Sequence, residues 1–200
     1  MRVAINEYPF SDNIRLRIHV DLTSMPGDIY ILADPISLPS EDEKEHGVNV
    51  ISRHMHREQP QAKTTSFIAV AESLRKSIPK GINEVLMIGA GGELLEGLSS
   101  NFFAIKDRMI WTAEEGVLAG ITRAIVIKTI QKLGFDLQRT AYPSVGIHNL
   151  TEAFLTSTSR GVLPIRAIDN LPLGEPCPGP LTCAIRDSFD EQIVVEFEEI

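Results

Sequence analysis

The stretch Glu96-Gly97-Leu98-Ser99-Ser100-Asn101-Phe102-Phe103 decides how this chain is read. A carboxylate is followed by Gly, two serines and Asn, and then by the apolar run 102–105. That composition marks a tight backbone passage feeding a strand. Upstream, Pro60-Gln61-Ala62-Lys63-Thr64-Thr65 puts a lysine just ahead of residues 66–77, where Phe67, Ile68, Val70, Ala71 and Leu74 recur at helical spacing. Downstream, Gly120-Ile121-Thr122-Arg123 opens a second helix that runs to Leu133 and stops at Gly134. Thr156-Ser157-Thr158-Ser159 then closes a strand over 153–158.

Strands are also expected over 15–20, 28–33, 47–53, 84–88, 93–96, 135–142 and 163–168, with a hairpin joining 102–105 to 109–112. A last helix begins at Gly179-Pro180, with proline at its first position, and runs to about 192. Residues 35–46 read as a polar connector rich in acidic side chains, and 194–200 as an acidic tail. Gly89-Ala90-Gly91-Gly92 follows a strand, but G-x-G-x-x-G is incomplete and no long helix follows, so a hairpin turn is the better reading than a dinucleotide loop. His46, His54 and His56 are close in sequence, yet no further metal ligand accompanies them, and they read as surface or loop residues. No metal site is expected.

Two hundred residues, 43% apolar and 23% charged, suit one soluble globular domain or slightly more. A net charge of −8 without a basic patch argues against nucleic-acid binding. There is no signal-peptide core and no apolar run of membrane-spanning length, so no membrane association is expected. Cys177 and Cys183 form no CxxC or Cys/His cluster and read as reduced thiols, which points to a cytoplasmic protein.

Taken together and in order, these segments resemble the class IV (fold type IV) aminotransferases that use pyridoxal phosphate. That group includes the branched-chain and D-amino-acid aminotransferases and aminodeoxychorismate lyase. The resemblance runs from about Gly47 to Glu191. It implies a mixed α/β fold of the D-amino-acid-aminotransferase type, with a barrel-like sheet and outer helices. It further implies pyridoxal 5'-phosphate as cofactor, a homodimer, and transfer of an amino group between an amino acid and a 2-oxo acid. Aminodeoxychorismate lyase activity is the alternative within the family, since it draws on the same residues.

By position Lys63 resembles the lysine that bonds covalently to the cofactor and then moves the substrate's alpha proton. Without that context it would read as a surface lysine. Glu96 resembles the carboxylate that keeps the pyridine nitrogen protonated; otherwise it is a strand-end carboxylate. Asn101 reads as a residue serving turn geometry. Gly120, Ile121 and Thr122 resemble the helix start that binds the cofactor phosphate, although Thr122 could simply be an N-cap. Leu118 matches a position that packs on the cofactor ring. Ser157, Thr158 and Ser159 match the turn that gives the phosphate a second hydroxyl and meets the substrate carboxylate with its backbone amides.

The match departs in two places. Phe67 stands roughly where some members carry a tyrosine. The family's N-terminal small domain, which gives an arginine to the phosphate, is not covered, and Arg57 is the nearest arginine in sequence. The expectation is therefore a crossover segment over 1–46, a pyridoxal-phosphate-binding large domain over 47–193 and a tail over 194–200, in a fragment of a longer enzyme or a shortened relative that is catalytically weak or inactive.

Overall fold

A computed structural model describes residues 13–196. These residues divide into two compact units, 13–38 and 39–196. In the first, β1 (Ile14–Val20) and β2 (Ile29–Pro35) form an antiparallel hairpin. Its register pairs Leu16 with Ala33, Ile18 with Ile31 and Val20 with Ile29. Paired residues share a face, so one face is wholly aliphatic. On the other, Arg17 meets Asp34 at 2.6 Å.

The second unit opens with a helix where the sequence suggested a loop. Helix α1 (Glu41–His46) is capped by Ser40, whose side chain accepts from the Glu43 N–H while the Glu43 carboxylate accepts from the Ser40 N–H. This Ser-x-x-Glu capping box outweighs the acidic composition that suggested a solvated connector.

The sheet that follows carries the rest. Strands β3 (Val48–His54), β4 (Ile82–Ile88), β5 (Glu93–Gly97), β6 (Asn101–Lys106), β10 (Glu152–Ser157) and β11 (Gly161–Ile168) pair in the cyclic order β6-β10-β11-β3-β4-β5. The ring closes where Glu96 of β5 pairs with Asn101 of β6. The chain is thus a mixed α/β protein with a closed six-stranded barrel-like sheet. Its strands read as continuous apolar runs because both faces are covered. Inside lie Val48, Val50, Leu86, Phe102, Leu155, Leu163 and Ile165. Alternate residues of the same strands, Phe103, Ile105, Phe154 and Val162, pack outward against two helices, α3 (Ile121–Lys132) and α4 (Pro180–Glu196). Phe103 and Phe154 stack with ring centroids 4.8 Å apart. Helix α2 (Thr65–Lys76) covers β3 and β4 through Ala71, Phe67 and Leu74.

Two sequence readings change. The expected strand over 135–142 is two short bridges, β8 (Leu137–Gln138) beside β7 (Met109–Trp111) and β9 (Tyr142–Pro143) beside β5. The segment crosses from one edge of the sheet to another, so it cannot pair continuously with either. Gly179-Pro180 does start α4, and the buried Glu152 is the reason for its form. Its carboxylate accepts from the Leu181 and Thr182 N–H groups, and it lies where a Cβ on residue 179 would be.

Candidate active site

The barrel seam builds the site. Glu96 is only 2% exposed, yet three donors reach its carboxylate. Its Oε2 accepts from Asn101 Nδ2 at 3.0 Å and from the Leu118 N–H at 3.1 Å. Its Oε1 accepts from Arg57 Nη1 at 3.1 Å. Burial pushes the Glu96 carboxyl above its ordinary value, and the Leu118 N–H and the Arg57 charge pull it back. Asn101 therefore does more than shape a turn: besides Glu96, its amide donates to the Leu118 carbonyl at 2.9 Å. Through Leu118 it ties the carboxylate to the segment that leads into α3.

Arg57 joins the two halves of the site. Its second amino group, Nη2, donates to the Ala62 carbonyl at 2.8 Å, the peptide immediately before Lys63. One guanidinium thus spans Glu96 and the lysine segment. Phe67, in the place of the tyrosine, lies under Arg57 with its ring centroid 4.3 Å from the guanidinium carbon. Arg57 Nε is buried without a hydrogen-bond partner among the described residues. Sequence alone gave Arg57 no direction, because its partner Glu96 lies 39 residues further along the chain.

Lys63 itself is exposed, not buried, and its side chain makes no hydrogen bond or ion pair among the described residues. It lies in the loop ahead of α2, whose N-cap Thr64 makes no side-chain capping bond. The anion-binding reading of α3 meets a favourable geometry. Gly120, not Thr122, is the N-cap, and no side chain caps the helix. The first intrahelical bond runs from the Ala124 N–H to the Gly120 carbonyl. The N–H groups of Ile121, Thr122 and Arg123 precede it, at the positive end of the helix dipole. Gly120 is required because Asn101 Oδ1 occupies the space of a Cβ there. Arg123 is buried and turned away, donating to the Ala113 carbonyl at 2.7 Å and to Glu114 at 2.8 Å.

Thr156 stands opposite Asn101 in the β10–β6 register, and its buried Oγ1 has no partner among the described residues. The turn that follows carries Ser157 and Ser159, half-buried, and Thr158, exposed. The structure thus gathers Glu96, Leu118, Gly120 and Thr156 around Asn101, and attaches the Lys63 segment through Arg57. It gives Lys63 no packing of its own. His54 and His56 are exposed, and His46 is exposed beside Asp42.

Comparison with known proteins places this architecture. Residues 3–168 match the family model described as amino-transferase class IV. The chain belongs to the class IV aminotransferase family. It is 28% identical over 197 residues to a probable branched-chain-amino-acid aminotransferase of Thermotoga maritima, covering 95% of this chain and 69% of that protein. A solved structure of a putative branched-chain amino acid aminotransferase from the same organism superposes with a TM-score of 0.80 at 26% identity, over 98% of this chain and 70% of that one. A branched-chain aminotransferase from Thermoproteus uzoniensis, solved with norvaline, gives a TM-score of 0.73 at 26% identity. The match covers 91% of this chain and 62% of that one. A branched-chain aminotransferase of the same fold, 24% identical to this chain, is solved with pyridoxamine 5'-phosphate and with a phosphopyridoxyl-glutamate adduct. Among the described residues no helix is long and apolar enough to cross a membrane.

Proposed function

We propose that this protein is a pyridoxal-phosphate-dependent aminotransferase that moves an amino group between an amino acid and a 2-oxo acid, with residues 47–193 as its cofactor-binding domain. The observation that carries this reading is Arg57, which bonds both the buried Glu96 and the peptide leading into Lys63. The peptide leading into Lys63 and the Glu96 carboxylate thereby share one guanidinium. The residues suit the cofactor in three respects. A buried carboxylate is oriented by three donors. A helix start is left without a side-chain cap. An accessible amine has no competing partner among the described residues.

In this reading Glu96 accepts a hydrogen bond from the ring nitrogen and keeps it protonated, and Leu118 packs at the ring. Arg57 and the Leu118 N–H offset part of the burial that raises that carboxyl. The helix start at Gly120 would hold the phosphate through the N–H groups of Ile121 and Thr122, with the Thr122 and Thr158 hydroxyls as further donors. Amides of the Ser157–Ser159 turn receive the substrate carboxylate. Lys63 would hold the cofactor and, once displaced by the incoming substrate amine, its free amine would accept the proton of the substrate alpha carbon and give it back. When bound, pyridoxal phosphate supplies the electron-withdrawing ring that stabilises the charge left by that proton.

The protein is proposed to act as a homodimer in the cytoplasm. Cys177 and Cys183 are free thiols, as in proteins of a reducing compartment. The test is incubation with cofactor, an amino acid and 2-oxoglutarate. Glutamate and the matching 2-oxo acid should form together. Pyruvate release from aminodeoxychorismate, with no glutamate formed in the first assay, would replace the transferase reading by the lyase one.

A further inference from the structure

A second buried carboxylate lies beneath the seam. Glu84, in β4, is 0% exposed. Its Oε2 accepts from Ser99 Oγ at 2.9 Å, Ser100 Oγ at 3.1 Å, the Ser99 N–H at 3.3 Å and Arg160 Nη1 at 3.1 Å. Its Oε1 accepts from the Val85 N–H at 3.1 Å. Arg160 Nη1 also donates to Ser99 Oγ at 3.0 Å, so serine, carboxylate and guanidinium form a closed triangle. The glycine of the Glu-Gly pair has its explanation here, since a Cβ on Gly97 would lie 2.7 Å from Glu84 Cγ.

The placement of this ion pair matters more than its strength. Ser99 and Ser100 belong to the turn between Glu96 and Asn101. Arg160 closes the next turn, its N–H donating to the Ser157 carbonyl at 3.2 Å. That turn carries Thr158 and leaves β10 one residue beyond Thr156, the partner of Asn101. One ion pair therefore locks the turn behind Glu96 to the turn bearing Thr158. Burying a carboxylate is costly unless it is paired and fully hydrogen-bonded, and Glu84 has both.

We propose that Glu84 and Arg160 are positioning residues whose ion pair sets the span between the Glu96–Asn101 seam and the Ser157–Ser159 turn. In the functional reading above, the seam faces the cofactor ring and the turn faces its anionic arm. The inference rests on the functional reading above. If it holds, loosening the pair harms recognition of the anionic arm and leaves recognition of the ring.

The experiment titrates the wild type, Arg160→Met, Arg160→Lys and the double variant Glu84→Gln/Arg160→Met with pyridoxal phosphate and, separately, with pyridoxal. The double variant removes both charges and leaves no stranded carboxylate, so it keeps the test open should Arg160→Met fold poorly. The expected result is an affinity for pyridoxal phosphate about tenfold lower in the Met variants, a change of about 1.4 kcal/mol. Affinity for pyridoxal should stay the same, and Arg160→Lys should recover part of the loss. Equal losses for both ligands, or double-variant binding equal to wild type, overturns the positioning role while leaving the function standing. A wild type that does not favour the phosphate ester over pyridoxal overturns the functional reading and this proposal with it.

Discussion

Glu96 and Lys63 are the two ends of one proposed site, and the chain treats them in opposite ways. Glu96 is buried at a barrel closure, with three donors aimed at it. Lys63 lies exposed in a loop, and only the peptide before it is anchored. The contrast follows from the chemistry proposed for each. A carboxylate that must stay charged and fixed gains from preorganised donors in a poorly solvated place. An amine that must exchange partners and carry a proton cannot be committed to a permanent one. The price of the first arrangement is a buried charge that depends on Arg57.

That dependence gives the largest expected effect. Arg57→Met strands Glu96 without its cation and should cost about 3 kcal/mol of stability in urea unfolding at neutral pH. Adding Glu96→Gln should recover most of that loss. A double variant as weak as the single would show that Arg57 acts through its packing on Phe67 instead. Next, Gly97→Ala pushes a methyl into Glu84 and should cost about 1–3 kcal/mol by the same measurement. An unchanged midpoint would mean that the seam is looser than its contacts imply.

The pH dependence has a definite sign. Burial raises the Glu96 carboxyl in the folded chain, so the fold favours its protonated form. Its contribution to stability is then fully present below the ordinary carboxyl value and is lost as pH rises through the raised folded value. The stability of the wild type relative to Glu96→Gln should therefore fall across that window. A difference that rises with pH instead would mean that the donors outweigh burial. At the other end, Lys63→Ala should change stability by less than about 0.5 kcal/mol, as for other exposed side chains without partners. A larger loss would show that Lys63 is held after all.

The fold was legible where periodicity was strong. The helices beginning near Thr65 and Ile121 and the run of apolar strands appear within a few residues of their expected places. What was hidden depended on pairing. Strand 135–142 failed because its two ends bond to different edges, which no local pattern encodes. Helix α1 was readable through Ser40 and Glu43, but its acidic composition masked the capping box.

In the site, residue identity was easier to read than surroundings. Glu96, Gly120 and the Ser157–Ser159 turn were proposed from the family resemblance of their motifs. The roles of Arg57, Asn101 and Glu84 were not, because each is defined by a partner far away in sequence. Glu84 looked like the first residue of an apolar strand. Only the closed barrel brings it under Ser99 and beside Arg160.

The central claim is that Lys63 and Glu96 serve one cofactor, and covalent trapping tests it most directly. The protein is mixed with pyridoxal phosphate, reduced with borohydride, digested and mapped by mass. The account predicts a phosphopyridoxyl label on Lys63, absent in Lys63→Ala, with weaker labelling when Glu96 is replaced by Ala. Equal labelling of Lys63→Ala, or a label spread over other lysines of the wild type, would contradict it.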